Sequence, residues 1–284
     1  MQIFNGPYYN NCRSIFLFIR GYLLRRPLLE SIFMSEKRKN VLLLLHKGPK
    51  DIEYLMEYMN TTRTALLPQI KVLQDSYLIS REGSRCELTT LGKLVVSEME
   101  PLISAVATLG SDLHYWGSHR MDFIPPHLLE RLCDLGECRF IKPTITDMME
   151  LNREFMENTY SSKSLFTITT FLHPNFVEIY SGLADKGVEV SVILSDDLFR
   201  KVTKENPEGL RQLINTVRTK FYVYDSPMNF ITFSINDHAS IFRLLTLSGD
   251  YDGVQLFASV PDAVRWGREF FEWCLQDSTP VSEF

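Results

Sequence analysis

The stretch Tyr77–Val96, YLISREGSRCELTTLGKLVV, restricts the fold of this chain more than any other. Its two short runs alternate inward apolar and outward polar residues with the period of a strand, and Gly83-Ser84 supplies the turn between them. Arg81 and Arg85 flank that turn. Thr89 or Thr90 then caps a helix continued by LGKLVVSEMEPLISAVATL. A short basic hairpin standing alone is more often a solvated edge than a contact surface, so what precedes it decides.

What precedes it is helical. PLLESIFMSEKRKNVLLLLHKGP places Leu28, Leu29, Ile32, Phe33, Val41, Leu44 and Leu45 close to helical spacing. The charged cluster Glu36–Lys39 interrupts the pattern, so two helices or one long helix with a polar face both fit, and Gly48-Pro49 ends it. DIEYLMEYM follows as a helix capped by Asp51, and Asn60-Thr61-Thr62 forms a turn. RTALLPQIKVLQDSYLI turns Leu66, Ile70 and Leu73 inward and leaves Arg63, Thr64, Gln69 and Lys71 outward. Pro68 predicts a bend or restart in that helix, because it lacks an N–H. Two short helices, a tight turn and then a basic hairpin are the order of a winged helix-turn-helix. After such a pair the hairpin reads as a wing. The expected partner is double-stranded DNA, with Arg63 and Gln69 at base edges. Thr61, Thr62, Thr64, Lys71, Arg81 and Arg85 complete the expected DNA-binding set, chiefly through phosphates.

Charge distribution agrees with that division. Residues 1–100 carry fourteen Lys and Arg against ten Asp and Glu, whereas residues 101–284 carry sixteen against twenty-five. A mildly basic module joined to an acidic one suits a chain whose larger part does not touch DNA. The expected organisation is an N-terminal extension over 1–26, a winged helix over 27–100, a linker or dimerisation helix over 101–125 and an α/β domain over 126–284. The apolar run Ile15–Leu24 contains Arg20 and is followed by Arg25-Arg26. That order is wrong for a secretory signal and the run is too short to span a bilayer. The extension is expected to be a helix packed on the body or the product of an early start site. No membrane partner is expected, and the location expected is cytoplasmic.

The second part alternates strands and helices. FIPPHLLERLCDLGECRFIKP reads as an amphipathic helix, a Gly stop and a short strand, and MMELNREFMENTYSSKS as a helix. LFTITTFLHP, NFVEIYSGLADKG and VEVSVILS form a strand–helix–strand unit with a parallel pair. TKFYVYD is a further strand, FITFSIND and ASIFRLLTLS a hairpin turned at Asn236-Asp237, and DAVRWGREFFEWCLQ a closing helix. Ligands of parallel sheets bind at the carboxyl ends of strands. That rule selects Thr169, Thr170, His173 and Pro174, then Ser195 and Asp196, then Tyr224 and Asp225 as effector-binding candidates. For His173, lining a pocket and capping a helix are equally compatible roles. For Asp225, Asp237 and Asp252 a turn-forming role is the simpler one.

Chemistry-bearing motifs are missing. There is no GxSxG elbow, phosphate-binding P-loop or GxGxxG fingerprint, and the six histidines form no HExxH. HYWGSH has two histidines beside Trp116 without carboxylate neighbours and reads as hinge or core. The five cysteines, Cys12, Cys86, Cys133, Cys138 and Cys274, include no CxxC pair and read as reduced thiols. No catalytic residue, metal or cofactor is expected.

Taken in order, PLLESIFMSEKRKNVLLLLHKGPKDI, LLPQIKVLQDSYLI, CELTTLGKLVV, YWGSH with IPPHLLERLCDLGEC, FLHP, ADKGVEVSVILS and DAVRWGREFFEW resemble one family. It is the archaeal, mainly methanogen, FilR-type regulators, which carry an ArsR-like winged helix and an effector domain. The resemblance covers residues 27–278 and leaves the N-terminal extension outside it. It implies a transcriptional regulator, with some members linked to methanogenesis genes. The effector half also resembles phospholipase D-like domains, whose chemistry needs paired HxKxxxxD motifs. Here His173 precedes Pro174-Asn175 and His238 precedes Ala239-Ser240, which implies a non-catalytic version.

The expected fold is thus an α+β winged helix followed by an α/β effector domain. The expected function is that of a homodimeric DNA-binding regulator answering to a small molecule, coupled through the helix around Glu98–Trp116. The alternative is a phosphodiesterase-like enzyme or pseudo-enzyme with an N-terminal interaction module. A third reading, a partner-binding protein without DNA contact, is disfavoured by the wing.

Overall fold

A computed structural model describes residues 27–144 and 151–282 of the 284-residue chain. The N-terminal extension, and the first residues of the helix expected from MMELN, lie outside them. The chain divides into two compact units, Met1–Leu102 and Ile103–Phe284, and the boundary falls inside the Thr90–Gly110 helix. No helix of the described residues is long and apolar enough to cross a membrane.

In the first unit the leading apolar segment folds as two helices, Pro27–Phe33 and Glu36–His46. Ser35 makes the break: its backbone is extended, and its hydroxyl accepts the Arg38 N–H at 3.4 Å. The Ile52–Tyr58 helix follows, then a turn in which Asn60 has a φ of 44°, then the Arg63–Asp75 helix. Val41, Leu42, Ile52, Leu55, Leu66, Ile70 and Leu73 are all fully buried and form the core. The helix does not restart at Pro68 but runs unbroken from Arg63 to Asp75. Proline removes one N–H, and the carbonyl it frees is that of Thr64, an exposed residue on the solvent side of the helix.

The hairpin is β2 (Ile79–Glu82) paired with β3 (Arg85–Leu88), and a short strand β1 (Lys50–Asp51) adds to the other edge of β3. Two residues are too few for a period to be read, so β1 had no sequence signal. Asp51 does not cap the following helix with its side chain, as expected. It accepts the Ser84 hydroxyl at 3.2 Å and ties β1 to the hairpin turn. Thr89 does cap its helix, accepting the Gly92 N–H at 3.0 Å while donating to the Tyr77 carbonyl at 2.6 Å. Gly92 is required there: a Cβ would stand 2.0 Å from the Leu78 carbonyl oxygen. The TTLG sequence is therefore the joint between hairpin and helix.

The second unit is built on an eight-stranded mixed sheet. Its strands are β4 (Arg139–Ile141), β5 (Ser164–Thr169), β6 (Glu189–Ser195), β7 (Thr219–Tyr224), β8 (Phe230–Asn236), β9 (Ser240–Leu244), β10 (Gln255–Ala258) and β11 (Ser278–Pro280). Their order is β11-β7-β6-β5-β8-β9-β10-β4. The expected parallel unit is present, β5 pairing with β6 and β6 with β7, with the Phe176–Asp185 helix between the first two. The hairpin of β8 and β9 lies antiparallel against β5.

Alternation along each strand feeds two cores. Ile168, Ile193, Phe233 and Phe242 pack with Trp266, Phe270 and Phe271 of the Pro261–Gln276 helix. Val190, Val192, Leu194 and Phe221 pack with the Phe176–Asp185, Asp196–Glu205 and Pro207–Ile214 helices. The result is three layers, helix–sheet–helix. The single helix expected from FIPPHLLERLCDLGEC is instead one α-helical turn, Pro126–Leu129, and one 3-10 turn, Leu132–Leu135, closed by Gly136 at a φ of 66°. His119 and Trp116 sit in the core, with the His119 ring stacked on Tyr115.

Candidate functional site

On the first unit, the Arg63–Asp75 helix begins with its polar residues outward. Thr62, Arg63, Thr64 and Lys71 are exposed and Thr61 is half-buried. Thr62 adopts an extended cap backbone, and its hydroxyl lies 3.1 Å from that of Thr64. The Arg63 guanidinium donates to the Glu53 carboxylate at 2.9 Å. Gln69 departs from expectation. It is half-buried, and its amide oxygen accepts from the Ser35 hydroxyl and the Arg38 guanidinium, both at 3.2 Å. It pins the helix to the preceding pair instead of facing outward. On the hairpin, Arg85 is exposed and pairs in register with Glu82. Arg81 donates its Nε–H to the Gly83 carbonyl at 2.7 Å, which stiffens the turn.

On the second unit, a cleft of about 920 Å³ opens at the carboxyl ends of β5, β6 and β7. It brings together Thr170, His173, Pro174, Ser195, Asp196, Tyr224 and Asp225. Several of their polar groups are already engaged. The Thr170 hydroxyl donates to the Ile231 carbonyl at 3.0 Å, and that of Ser195 accepts the Leu198 N–H at 3.3 Å. Burial pushes the Tyr224 phenol up to about 12, so it stays protonated at neutral pH. His173 lines the cleft, and its Nδ1 accepts the N–H of Asn175, the cap residue of the Phe176–Asp185 helix, at 3.1 Å; no side chain caps that helix.

Thr169 lines an adjoining cavity of about 90 Å³, which shares Phe171, Leu172, His173 and Phe176 with the cleft. Its floor is set by strand register. Thr169, Thr232 and Arg243 lie in one row across β5, β8 and β9, and Thr167, Ser234 and Ile241 in the next. Thr167 and Ser234 share a hydrogen bond at 3.1 Å. The Phe155 and Phe176 side chains wall the cavity. Arg243, Thr167, Thr232 and Ser234 were missed from sequence. Their signal was an arginine inside the apolar run SIFRLL, at a position the alternation turns inward. Among the described residues no group of three or more His, Cys, Asp or Glu side chains is placed to hold a metal ion.

Two family models match the chain: Methanogenesis regulatory protein FilR1, N-terminal domain, over residues 26–107, and the middle domain of the same protein over residues 148–277. The chain belongs to the FilR1 family. The resemblance carried by the collinear motifs is thereby shown. A curated FilR1 relative, the Methanogenesis regulatory protein FilR1 of Methanothrix harundinacea (strain 6Ac), is 24% identical over 254 residues. Those residues are 88% of this chain and 57% of that protein, so the chain spans little more than half the length of its relative. Among solved structures, TrmBL2, an archaeal chromatin protein, aligns at a TM-score of 0.40 and 12% identity, covering 95% of this chain and 100% of that one. Nuc from Salmonella typhimurium, a phospholipase D family member, aligns at 0.34 and 10%, covering 45% and 88%. Likeness at those scores carries no functional inference.

Proposed function

We propose that this FilR1-family chain is a sequence-specific DNA-binding transcriptional regulator, with a winged helix of ArsR-like type in its first unit and an effector-sensing second unit. The observation that supports this most is the exposed polar face Thr62-Arg63-Thr64, opening a helix that is followed by an arginine-flanked hairpin. The helix would enter the major groove, with Arg63 reading a base edge. Thr61, Thr62, Thr64, Lys71, Arg81 and Arg85 would hold phosphates and set register. Gln69 is left out of that set because its amide oxygen is engaged within the unit.

A homodimer is part of the proposal. Leu91, Leu94 and Leu102 project from the first unit's part of the Thr90–Gly110 helix, each more than half exposed, and at helical spacing they fall in one stripe. A small molecule in the β5–β7 cleft, contacting Thr170, His173, Ser195, Tyr224 and Asp225 with Thr169 beside them, would alter DNA affinity by binding two arrangements of the dimer unequally.

Fluorescence anisotropy on DNA from the upstream region of its own gene, over a salt series and against scrambled competitor, tests the reading. Competitor-resistant binding with a steep salt slope is expected. Equal affinity for scrambled DNA, after selection from random sequences as well, would remove it in favour of an interaction module.

A further inference from the structure

The cavity on β5, β8 and β9 contains a cation that the rest of the unit leaves uncompensated. Arg243 stands in the row with Thr169 and Thr232 and faces the cavity walled by Phe155 and Phe176. Among the described residues, no carboxylate forms an ion pair with it and no group forms a hydrogen bond with it. The arginines that form ion pairs, such as Arg131, Arg139, Arg218 and Arg268, each meet an Asp or Glu at 2.8 Å or closer. Burial lowers the Arg243 guanidinium pKa, and its one charge-bearing neighbour, the Tyr251 phenol, is itself pushed up and stays neutral. A guanidinium remains charged at any physiological pH, and at a half-buried position facing an apolar-walled cavity it is better solvated by a counter-ion than left unpaired. Such an arrangement is retained where a ligand completes the pair.

We infer that this cavity takes the carboxylate end of a small amphipathic acid, with Arg243 as its counter-ion. This deepens the proposed effector site and rests on that reading. The Thr167 hydroxyl bonds both Ser234, at 3.1 Å, and the Tyr180 phenol; the two bonds use two of the three O–H groups and leave one to offer beside the guanidinium. The Thr169 and Thr232 hydroxyls already donate to carbonyls, which removes them as donors. One fixed positive charge and one hydroxyl donor match a monoanion better than a doubly charged phosphate, which attracts several cations. The space of about 90 Å³ is several times the ~10–15 Å³ that admits one water, so a head group of a few heavy atoms fits. The cavity adjoins the cleft of about 920 Å³ at Phe171, Leu172 and His173, so the apolar remainder would lie on that side.

The test is thermal melting of the full chain with hexanoate, and with hexanamide and hexyl phosphate as neutral and dianionic counterparts, repeated on Arg243→Met. Hexanoate at millimolar concentration should raise Tm by several degrees, hexanamide by less than one, and Arg243→Met should erase the difference. Ligand-free Arg243→Met should melt no lower than the wild type, because it removes an unpaired charge while keeping most of the volume. A larger rise with hexyl phosphate than with hexanoate would make the ligand a phosphate and overturn the carboxylate assignment. Equal response to all three compounds, no response to any, or an undiminished response in Arg243→Met overturns the site. Melting is read without DNA, so failure here is distinct from failure of the regulator. Hexanoate binding without any change in DNA affinity would leave the anion site standing and remove the effector role.

Discussion

The Trp266 indole N–H donates to the Leu128 carbonyl at 2.8 Å, joining two fully buried residues 138 positions apart in sequence. The bond ties the closing helix to the turn that follows Pro125-Pro126. Trp266→Phe removes that bond, while the carbonyl still accepts the Arg131 N–H at 3.1 Å, so the loss is that of one net hydrogen bond, about 0.5–1.5 kcal/mol. For a unit of this size Tm should fall by roughly 2–4 °C per kcal/mol. An unchanged melt by calorimetry would mean that the Arg131 N–H alone satisfies the Leu128 carbonyl.

Gly92→Ala should be more damaging than its one added methyl suggests. The new Cβ meets the Leu78 backbone oxygen at 2.0 Å, and neither the β2 entry nor the helix start can move without breaking the Thr89 bonds. The cost should reach or exceed the ~1–3 kcal/mol usual for overpacking. The neighbouring exposed Lys93→Ala should stay within about 0.5 kcal/mol. Urea melts of the two variants side by side make the comparison, and equal midpoints would contradict the joint.

These two sites illustrate what the sequence could and could not convey. The hairpin, its Gly-Ser turn and the TTLG joint were legible because strand period, turn chemistry and capping coincide within a dozen residues. The parallel unit was legible for the same reason: Gly187 stops a helix between two β-branched runs. The short strands β1, β10 and β11 were not, since none of them is joined to a strand it pairs with by a tight turn: β1 pairs with β3, β10 with β9 and β4, and β11 with β7. Gln69 was misassigned because helical spacing puts it on a flank, and only tertiary packing decides whether Ser35 and Arg38 reach it. The strand-end rule found residues of the cleft. It did not find Arg243, which sits mid-strand in a row defined by cross-strand register.

The Asp237 carboxylate should make the second unit sensitive to acid. Burial opposes its ionisation, but the Lys163 N–H, the Ser164 hydroxyl and Arg268 outweigh burial and lower its pKa below the ordinary 3.8. A carboxyl depressed in the folded state contributes stability that is present above its unfolded pKa and lost as pH falls through the folded value. Asp237→Asn should therefore cost about 1–3 kcal/mol at pH 7. The gap between wild type and variant should narrow below about pH 4, close to the unfolded value. A gap of constant size down to pH 2 would assign the effect to shape alone.

The Arg63–Glu53 pair should restrain DNA binding. Its 2.9 Å contact is solvent-exposed, and such pairs are worth about 0–1 kcal/mol. Glu53→Gln frees the guanidinium and removes a negative charge beside the proposed groove-facing helix, so affinity should rise by up to about fivefold. Arg63→Ala should instead relax discrimination by about 1–3 kcal/mol at one base pair. Arg85→Ala should weaken all sequences alike and flatten the salt slope by about one unit. Anisotropy titrations on matched and single-base-changed duplexes separate the three outcomes, and unchanged affinity in Arg85→Ala at low salt would take the hairpin out of the interface.

The stripe on the Thr90–Gly110 helix supplies the remaining prediction. Leu94 and Leu102 are 64% and 54% exposed, an unusual position for two leucines unless a second surface covers them. Burial of a leucine side chain contributes about 1.5–3 kcal/mol, and a twofold interface counts each residue twice. Leu94→Glu with Leu102→Glu should therefore weaken self-association by more than about a hundredfold, since each 1.4 kcal/mol is a factor of ten. Light scattering after size-exclusion chromatography should find the wild type as a dimer and the double variant as a monomer with an unchanged circular dichroism spectrum, melting lower because the partner no longer stabilises the folded state. DNA affinity should fall with it, because one protomer reaches only one half-site. A wild type that is monomeric at tens of micromolar would remove the dimer and require the stripe to pack against something else.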